Sequence, residues 1–133
     1  MTMTAALIGL ALLTMVLLAT LIFHTYATQG FGYGFSSNRA QKTEVSAFGK
    51  RIANTYTNQV ETSAFLVPIL VVAALLNIQT DGAQFAAMLI LIGRVAFAVL
   101  YYTGLPFARV PAFGIANVSA LYIVYEIISS GAL

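Results

Sequence analysis

Residues 83–102, AQFAAMLILIGRVAFAVLYY, contain 20 amino acids and one formal charge, on Arg94. At about 1.5 Å per residue, a helix of this length spans the roughly 30 Å hydrocarbon core of a bilayer. A charge in the middle of such a helix costs about 2.5–3.5 kcal/mol on insertion scales, and usually faces a protein interior with a partner. The segment therefore predicts a transmembrane helix whose arginine faces other helices.

The composition of the whole chain indicates an integral membrane protein. The chain has 133 residues, of which 60% are hydrophobic and 8% charged, whereas a soluble domain carries about 25% charged residues. Cysteine is absent, which excludes disulfides, thiolate metal sites and a cysteine nucleophile. The net charge is +2 and most basic residues flank apolar segments, which favours membrane anchoring over nucleic-acid binding.

Three further apolar segments predict an all-α, four-helix membrane bundle formed by a single domain over residues 1–133. We expect helices at about 5–24, 50–76, 83–104 and 111–128. The continuously apolar part of the second segment, Ala64–Leu76, covers only about two-thirds of the hydrocarbon core. The polar turns before Ala64 must then also lie in the membrane and face protein or a polar cavity. Pro106 is expected to end the third helix, and Pro111 to lie in the first turn of the fourth.

The connections differ in composition. In residues 25–49, glycines alternate with aromatic residues over Gly30–Phe35. This pattern is compatible with a loop at the membrane interface, where aromatic rings are favoured, or with a flexible connector. Residues 77–82 end in Thr80-Asp81-Gly82, which predicts a tight turn.

Basic residues concentrate in two of the three loops. The second loop has only Asp81 as a charge, whereas the first and third loops carry Arg39, Lys42, Lys50, Arg51 and Arg109. The positive-inside rule then predicts a multi-pass cell-membrane protein with loops one and three cytoplasmic and both termini outside.

The second predicted helix carries a polar stripe. Arg51, Asn54, Asn58 and Glu61 are spaced three, four and three residues apart, which places them on one helix face. The second helix begins and the third ends on the same side of the membrane, so Glu61 and Arg94 should reach a similar depth. We expect them to form an ion pair in a mostly cationic pocket that opens to the cytoplasmic half and includes Tyr101 and Arg109.

The polar residues alone leave several functions open. A buried arginine and glutamate are compatible with a structural clamp, a ligand site, or a proton or ion path. The additional arginines and asparagines favour a ligand with carboxylates. A small transporter would typically need an acidic residue in the first helix, and Ala5–Phe23 has none. No metal-ligand cluster, phosphate-binding glycine loop or serine–histidine–acid arrangement is evident.

Three motifs resemble those of the MAPEG family, the membrane-associated proteins in eicosanoid and glutathione metabolism, in a bacterial-type form. Asn58-x-x-Glu61, followed by Phe65 and Pro68, resembles the family signature of the second helix. Arg94-x(6)-Tyr101 resembles the pattern of the third helix. Arg109 resembles the arginine that follows. The resemblance covers nearly the whole chain.

This resemblance implies a four-helix subunit that forms a homotrimer among membrane lipids. It further implies glutathione as co-substrate between neighbouring subunits, and a lipophilic electrophile or hydroperoxide arriving from the bilayer. Arg109 and Tyr101 would then be catalytic, with Arg109 stabilising the thiolate. The residues that would bind glutathione are Arg51, Asn58, Glu61, Arg94 and Tyr101.

Two positions depart from the pattern of the family's catalytic members. Asn54 stands where those members usually carry an arginine, and Phe97 where a histidine or tyrosine is often found. Both differences reduce the polar groups available for glutathione. The alternative is therefore a non-catalytic accessory or lipid-binding subunit that retains the fold, and the sequence leaves open which of the two the protein is.

Overall fold

The computed structural model describes residues 1–37 and 44–131, and these form an all-α bundle. Four helices are long and apolar enough to cross a membrane, which confirms the predicted fold class. A fifth, short helix lies in the first connection. In chain order the helices are α1 (Met3–Gln29), α2 (Phe31–Phe35), α3 (Ala47–Leu75), α4 (Asp81–Thr103) and α5 (Arg109–Ser129).

Side-chain caps set where three of the long helices begin. The hydroxyls of Thr2, Ser46 and Thr80 accept hydrogen bonds from backbone N–H groups three residues later, at 3.2, 3.0 and 3.1 Å. Each cap satisfies one of the donors that a helix start leaves without an intrahelical partner. The predicted tight connection between α3 and α4 is present but ends at Thr80, because Thr80 caps α4 and places Asp81 and Gly82 in its first turn. The same capping starts α3 three residues before the expected Lys50.

Glycine and proline residues mark where α4 ends and α5 begins. Gly104 adopts a left-handed conformation (φ 80°) and its N–H donates to the Tyr101 carbonyl at 3.1 Å. Glycine tolerates this conformation because it has no Cβ, so α4 ends at Thr103, three residues before Pro106. Pro111 lies in the first turn of α5, as predicted.

The first connection contains a helix where an irregular segment was expected. Residues 31–35 form α2, and the Tyr26 ring stacks on Phe31 and Phe35 with centroids 5.3 and 6.5 Å apart. Gly34 permits this stacking, since a Cβ there would overlap the Tyr26 ring. The prediction of a loop or flexible connector is therefore wrong for residues 31–35. Arg39 and Lys42 lie outside the described residues.

Helices α4 and α5 approach each other closely through small residues. A Cβ at Gly93 would lie 2.8 Å from the Ala112 carbonyl oxygen and 3.2 Å from the Ala116 Cβ. Such small-residue contacts are how membrane helices gain van der Waals packing and backbone proximity. The close approach brings α5 alongside the next residue of α4, Arg94.

Candidate functional site

Arg94 is buried in the middle of the bundle, with 1% of its surface exposed. Its Nε donates to Gln59 Oε1 at 3.0 Å, and its Nη2 donates to Asn58 Oδ1 at 2.9 Å. Both amides belong to α3. The prediction that this arginine faces other helices is confirmed.

Arg94 does not pair with Glu61, however, and the predicted ion pair is wrong within the protomer. Glu61 lies on the exposed surface of α3, whereas Gln59 is fully buried. Two residues along an α-helix differ by about 200° around its axis, because each residue turns it by about 100°. The sequence placed Glu61 at a suitable depth, but the rotation of α3 directs Gln59 towards Arg94 instead.

Aromatic rings from two helices pack against the Arg94 guanidinium. Its Cζ lies 4.8 Å from the Phe97 ring centroid and 6.0 Å from that of Phe113. Cation–π contacts of this kind contribute roughly 0.5–2 kcal/mol, more when desolvated. Arg94 Nη1 is buried without a hydrogen-bond partner among the described residues. Phe97, which replaces a polar residue of the family pattern, thus serves as packing for the arginine.

The hydrogen bonds continue from Gln59 into α1. Gln59 Nε2 donates to Thr14 Oγ1 at 3.1 Å and, more weakly, to Ser63 Oγ at 3.4 Å. Thr14 Oγ1 donates to the Leu10 carbonyl at 2.8 Å. We call the side chains Arg94, Asn58, Gln59, Thr14 and Ser63 the Arg94 network. It connects α4, α3 and α1 across the bundle interior.

Sequence reasoning missed Gln59 and Thr14, although a signal for Gln59 was present. Thr55, Gln59 and Thr62 recur at helical spacing between Ile52 and Leu66. All five are buried in the structure. Polar residues on an otherwise apolar buried face require partners in the interior, and this run could have indicated the face that meets Arg94.

The polar stripe predicted on α3 lies beside that buried face and reaches the protomer surface. Asn54 and Glu61 are exposed, and Asn58 is half-buried between the two faces. Glu61 is the midpoint of α3, with about 21 Å of helix on either side. The carboxylate therefore reaches the protomer surface in the middle of α3.

Arg51 lies at the end of the bundle where α4 ends and α5 begins, which we call the basic end. Its Nε donates to the Tyr102 carbonyl at 3.2 Å, and its Cζ lies 5.6 Å from the Phe48 ring centroid. The last carbonyls of a helix lack intrahelical partners, and a cation there complements the helix dipole. In the protomer, Arg51 thus stabilises the C-terminus of α4 rather than contacting Asn58.

Arg109 and Tyr101 come together at the basic end, as expected. The Arg109 guanidinium carbon lies 4.3 Å from the Tyr101 ring centroid, and both side chains are half-buried. Tyr101 in turn contacts Phe97 edge-on, with centroids 5.4 Å apart. These cations and rings therefore form a continuous stack from the basic end into the interior. Its order is Arg109, Tyr101, Phe97 and Arg94.

Four apolar helices around a buried arginine, with a polar stripe that reaches the protomer surface, define a multi-pass membrane protein of the four-helix class. The family model that matches the chain is that of the MAPEG family, over residues 3–129. The chain therefore belongs to the MAPEG family. No curated protein and no solved structure shows a significant match to it.

Proposed function

We propose that this protein is a glutathione-dependent transferase or peroxidase that acts on lipophilic electrophiles or hydroperoxides at the cytoplasmic half of the cell membrane. The observation that carries the proposal is the exposed polar stripe. Glu61 exposes a carboxylate in the middle of α3, and the half-buried amide of Asn58 lies one turn away on the same stripe. A structural clamp within the protomer would bury the Glu61 carboxylate, as the protomer buries Gln59.

The stripe supports a ligand site between copies of the chain. A carboxylate at mid-span costs about 2.5–3.5 kcal/mol against lipid, so protein or a water-filled cavity is expected to cover it. A homotrimer covers it with the neighbouring subunit and encloses a polar cleft. Glutathione is zwitterionic, so Glu61 can accept from its ammonium group while donors on the same surface bind its carboxylates.

Arg109 and Tyr101 support the chemical step. A free thiol has a pKa of about 8.5, and only the thiolate attacks an electrophile. A guanidinium remains charged and donates several hydrogen bonds, which stabilises a thiolate next to it. Arg109 is held over the Tyr101 ring at 4.3 Å, at the basic end. With loops one and three cytoplasmic, this end would admit glutathione from the cytoplasm and the second substrate from the bilayer.

Two of the expected glutathione-binding residues take indirect roles in this proposal. Arg94 is 1% exposed, so it acts on a ligand through Asn58 rather than by contact. Arg51 has its Nε on the Tyr102 carbonyl and supports the α4 terminus near Tyr101. Asn58, Glu61, Tyr101 and Arg109 remain the groups proposed to touch glutathione.

The second candidate function is a non-catalytic accessory or lipid-binding subunit. Asn54 supplies no cation to the exposed stripe, and Phe97 is engaged with Arg94. An apolar groove of about 430 Å³ between α1 and α3, lined by residues that include Leu10, Met15 and Val67, could hold an acyl chain.

Turnover of the purified protein separates the two functions. We expect the wild type to conjugate glutathione to a halonitrobenzene or to reduce a lipid hydroperoxide. In the Arg109→Met variant, kcat should fall at least about tenfold, since one electrostatic contact to the reacting anion is removed. Lys50→Met is the matched control, because Lys50 is an exposed cation near the same end. Absence of turnover and of glutathione binding at millimolar concentration would leave the accessory function.

A further inference from the structure

The hydrogen bonds of Arg94 fix the orientation of two amides. A guanidinium has only donors, so each amide that meets it must present its oxygen. Asn58 Oδ1 and Gln59 Oε1 therefore face Arg94, at 2.9 and 3.0 Å. The NH2 groups of both amides must then be directed away from the arginine.

The two NH2 groups have different surroundings. That of Gln59 is used inside the bundle, where it donates to Thr14 Oγ1 and Ser63 Oγ. That of Asn58 has no acceptor among the described residues. Asn58 is half-buried and lies next to the exposed stripe that holds Glu61. The free NH2 of Asn58 is therefore the outward end of the network.

The network carries a positive charge, and no carboxylate of residues 1–37 or 44–131 contacts it. Arg94 meets two neutral amides and two aromatic rings, and its Nη1 is buried without a partner among the described residues. Charge interactions extend further in a low-dielectric interior than in water. A hydrogen bond from a cation to an amide oxygen also polarises that amide and strengthens its N–H groups as donors.

We infer that Arg94 is a positioning residue that makes Asn58 a polarised, donor-only group on the exposed stripe, so that Asn58 selects a carboxylate of the bound ligand. The identity of the ligand as glutathione rests on the proposed function, whereas the orientation of Asn58 does not. The stripe has Asn54 where a cation would bind an anion. Asn58 thus supplies the donor that binds the anion there.

Two matched variants test the orientation. Asn58→Asp and Gln59→Glu each place a carboxylate oxygen against Arg94 and add the same charge, but only Asn58→Asp removes the outward donor. Both should fold, because each supplies Arg94 with a counter-charge. We expect glutathione affinity to fall at least about tenfold in Asn58→Asp, since a hydrogen bond to a charged group is lost, and only a few-fold in Gln59→Glu. Equal affinities in Asn58→Asp and the wild type would overturn the inference.

Two glutathione analogues, each lacking one of the two carboxylates, identify the group that Asn58 binds. The affinity difference between Asn58→Asp and the wild type should vanish with one analogue and persist with the other. A difference that persists with both analogues contradicts the assignment of a carboxylate to Asn58.

Infrared spectroscopy tests the position of Arg94 without a ligand. In Asn58→Asp, the new carboxyl group should be ionised at pH 7, because Arg94 lies beside it. Its protonated fraction should rise in the Asn58→Asp/Arg94→Met double variant, where the half-buried carboxylate has lost the cation beside it. A protonated Asp in the single variant would show that Arg94 does not hold this position. If the wild type binds no glutathione, the proposed function fails while this spectrum still decides the positioning role.

Discussion

The two faces of α3 carry similar polar residues but have different surroundings. On the buried face, Gln59 is enclosed and has partners on α4 and α1. On the exposed stripe, Asn54 and Glu61 lie on the protomer surface of the same candidate membrane span. The difference shows that the protomer needs the polar residues of the buried face to hold its helices together. The polar residues of the exposed stripe are available to a neighbouring subunit or a ligand. Asn58 lies between the buried face and the exposed stripe, because it is half-buried and bonded to Arg94.

Loss of Arg94 should have the largest effect on stability. Arg94→Met leaves the oxygens of Asn58 and Gln59 without donors in the interior, and an unsatisfied buried group costs about 1–3 kcal/mol. We expect a loss of about 2–5 kcal/mol in the free energy of unfolding, measured by denaturation in detergent. Arg109→Met, which removes a half-buried cation, should cost less than about 1 kcal/mol. Equal effects of the two variants would mean that the network does not hold the bundle.

The link from Gln59 to α1 should contribute less. Gln59→Leu and Thr14→Val each remove one side of the 3.1 Å hydrogen bond. Interhelical hydrogen bonds in membrane proteins average about 0.6 kcal/mol and reach about 1.7 kcal/mol in double-mutant cycles. We expect a coupling energy in this range from unfolding of both single variants and the double variant. Simple additivity would show that α1 and α3 are not joined by this contact.

The Glu61→Gln variant should distinguish a ligand-binding role of the exposed stripe from a structural role. Since Glu61 is exposed in the protomer, the unfolding free energy should change by less than about 0.5 kcal/mol, as for a surface substitution. Glutathione affinity should fall about tenfold, because a charge-assisted contact to the ammonium group is lost. Calorimetric titration and denaturation of the same preparations measure both quantities. A large loss of stability with unchanged affinity would assign Glu61 to the structural set.

Asn54→Arg should give the smallest change, and in the opposite direction. It restores the cation that catalytic members of the family usually have on this stripe, so glutathione affinity should rise a few-fold with little change in stability. Gln79→Arg, at an exposed position in the connection between α3 and α4 and away from the stripe, is the matched control. An equal gain in both variants would indicate general attraction of an anion rather than a site.

The spans, their depth and the polar stripe could be predicted from sequence because hydropathy and helical spacing depend on local composition. The rotation of each helix about its axis could not. Glu61 and Gln59 differ by two positions, and only the packing of α3 against α1 and α4 decides that Gln59 meets Arg94. Helix α2 was also missed, since Gly32 and Gly34 disfavour a helix and the stacking of Tyr26 on Phe31 and Phe35 is a tertiary contact.

Calorimetric titration of glutathione into the purified wild-type protein measures whether the exposed face of α3 binds a ligand. We predict saturable binding with a dissociation constant in the millimolar range or tighter, which is weakened in Glu61→Gln and preserved in Lys50→Met. Absence of saturable binding, or equal binding by wild type and Glu61→Gln, would mean that the exposed face of α3 is not the binding site for glutathione.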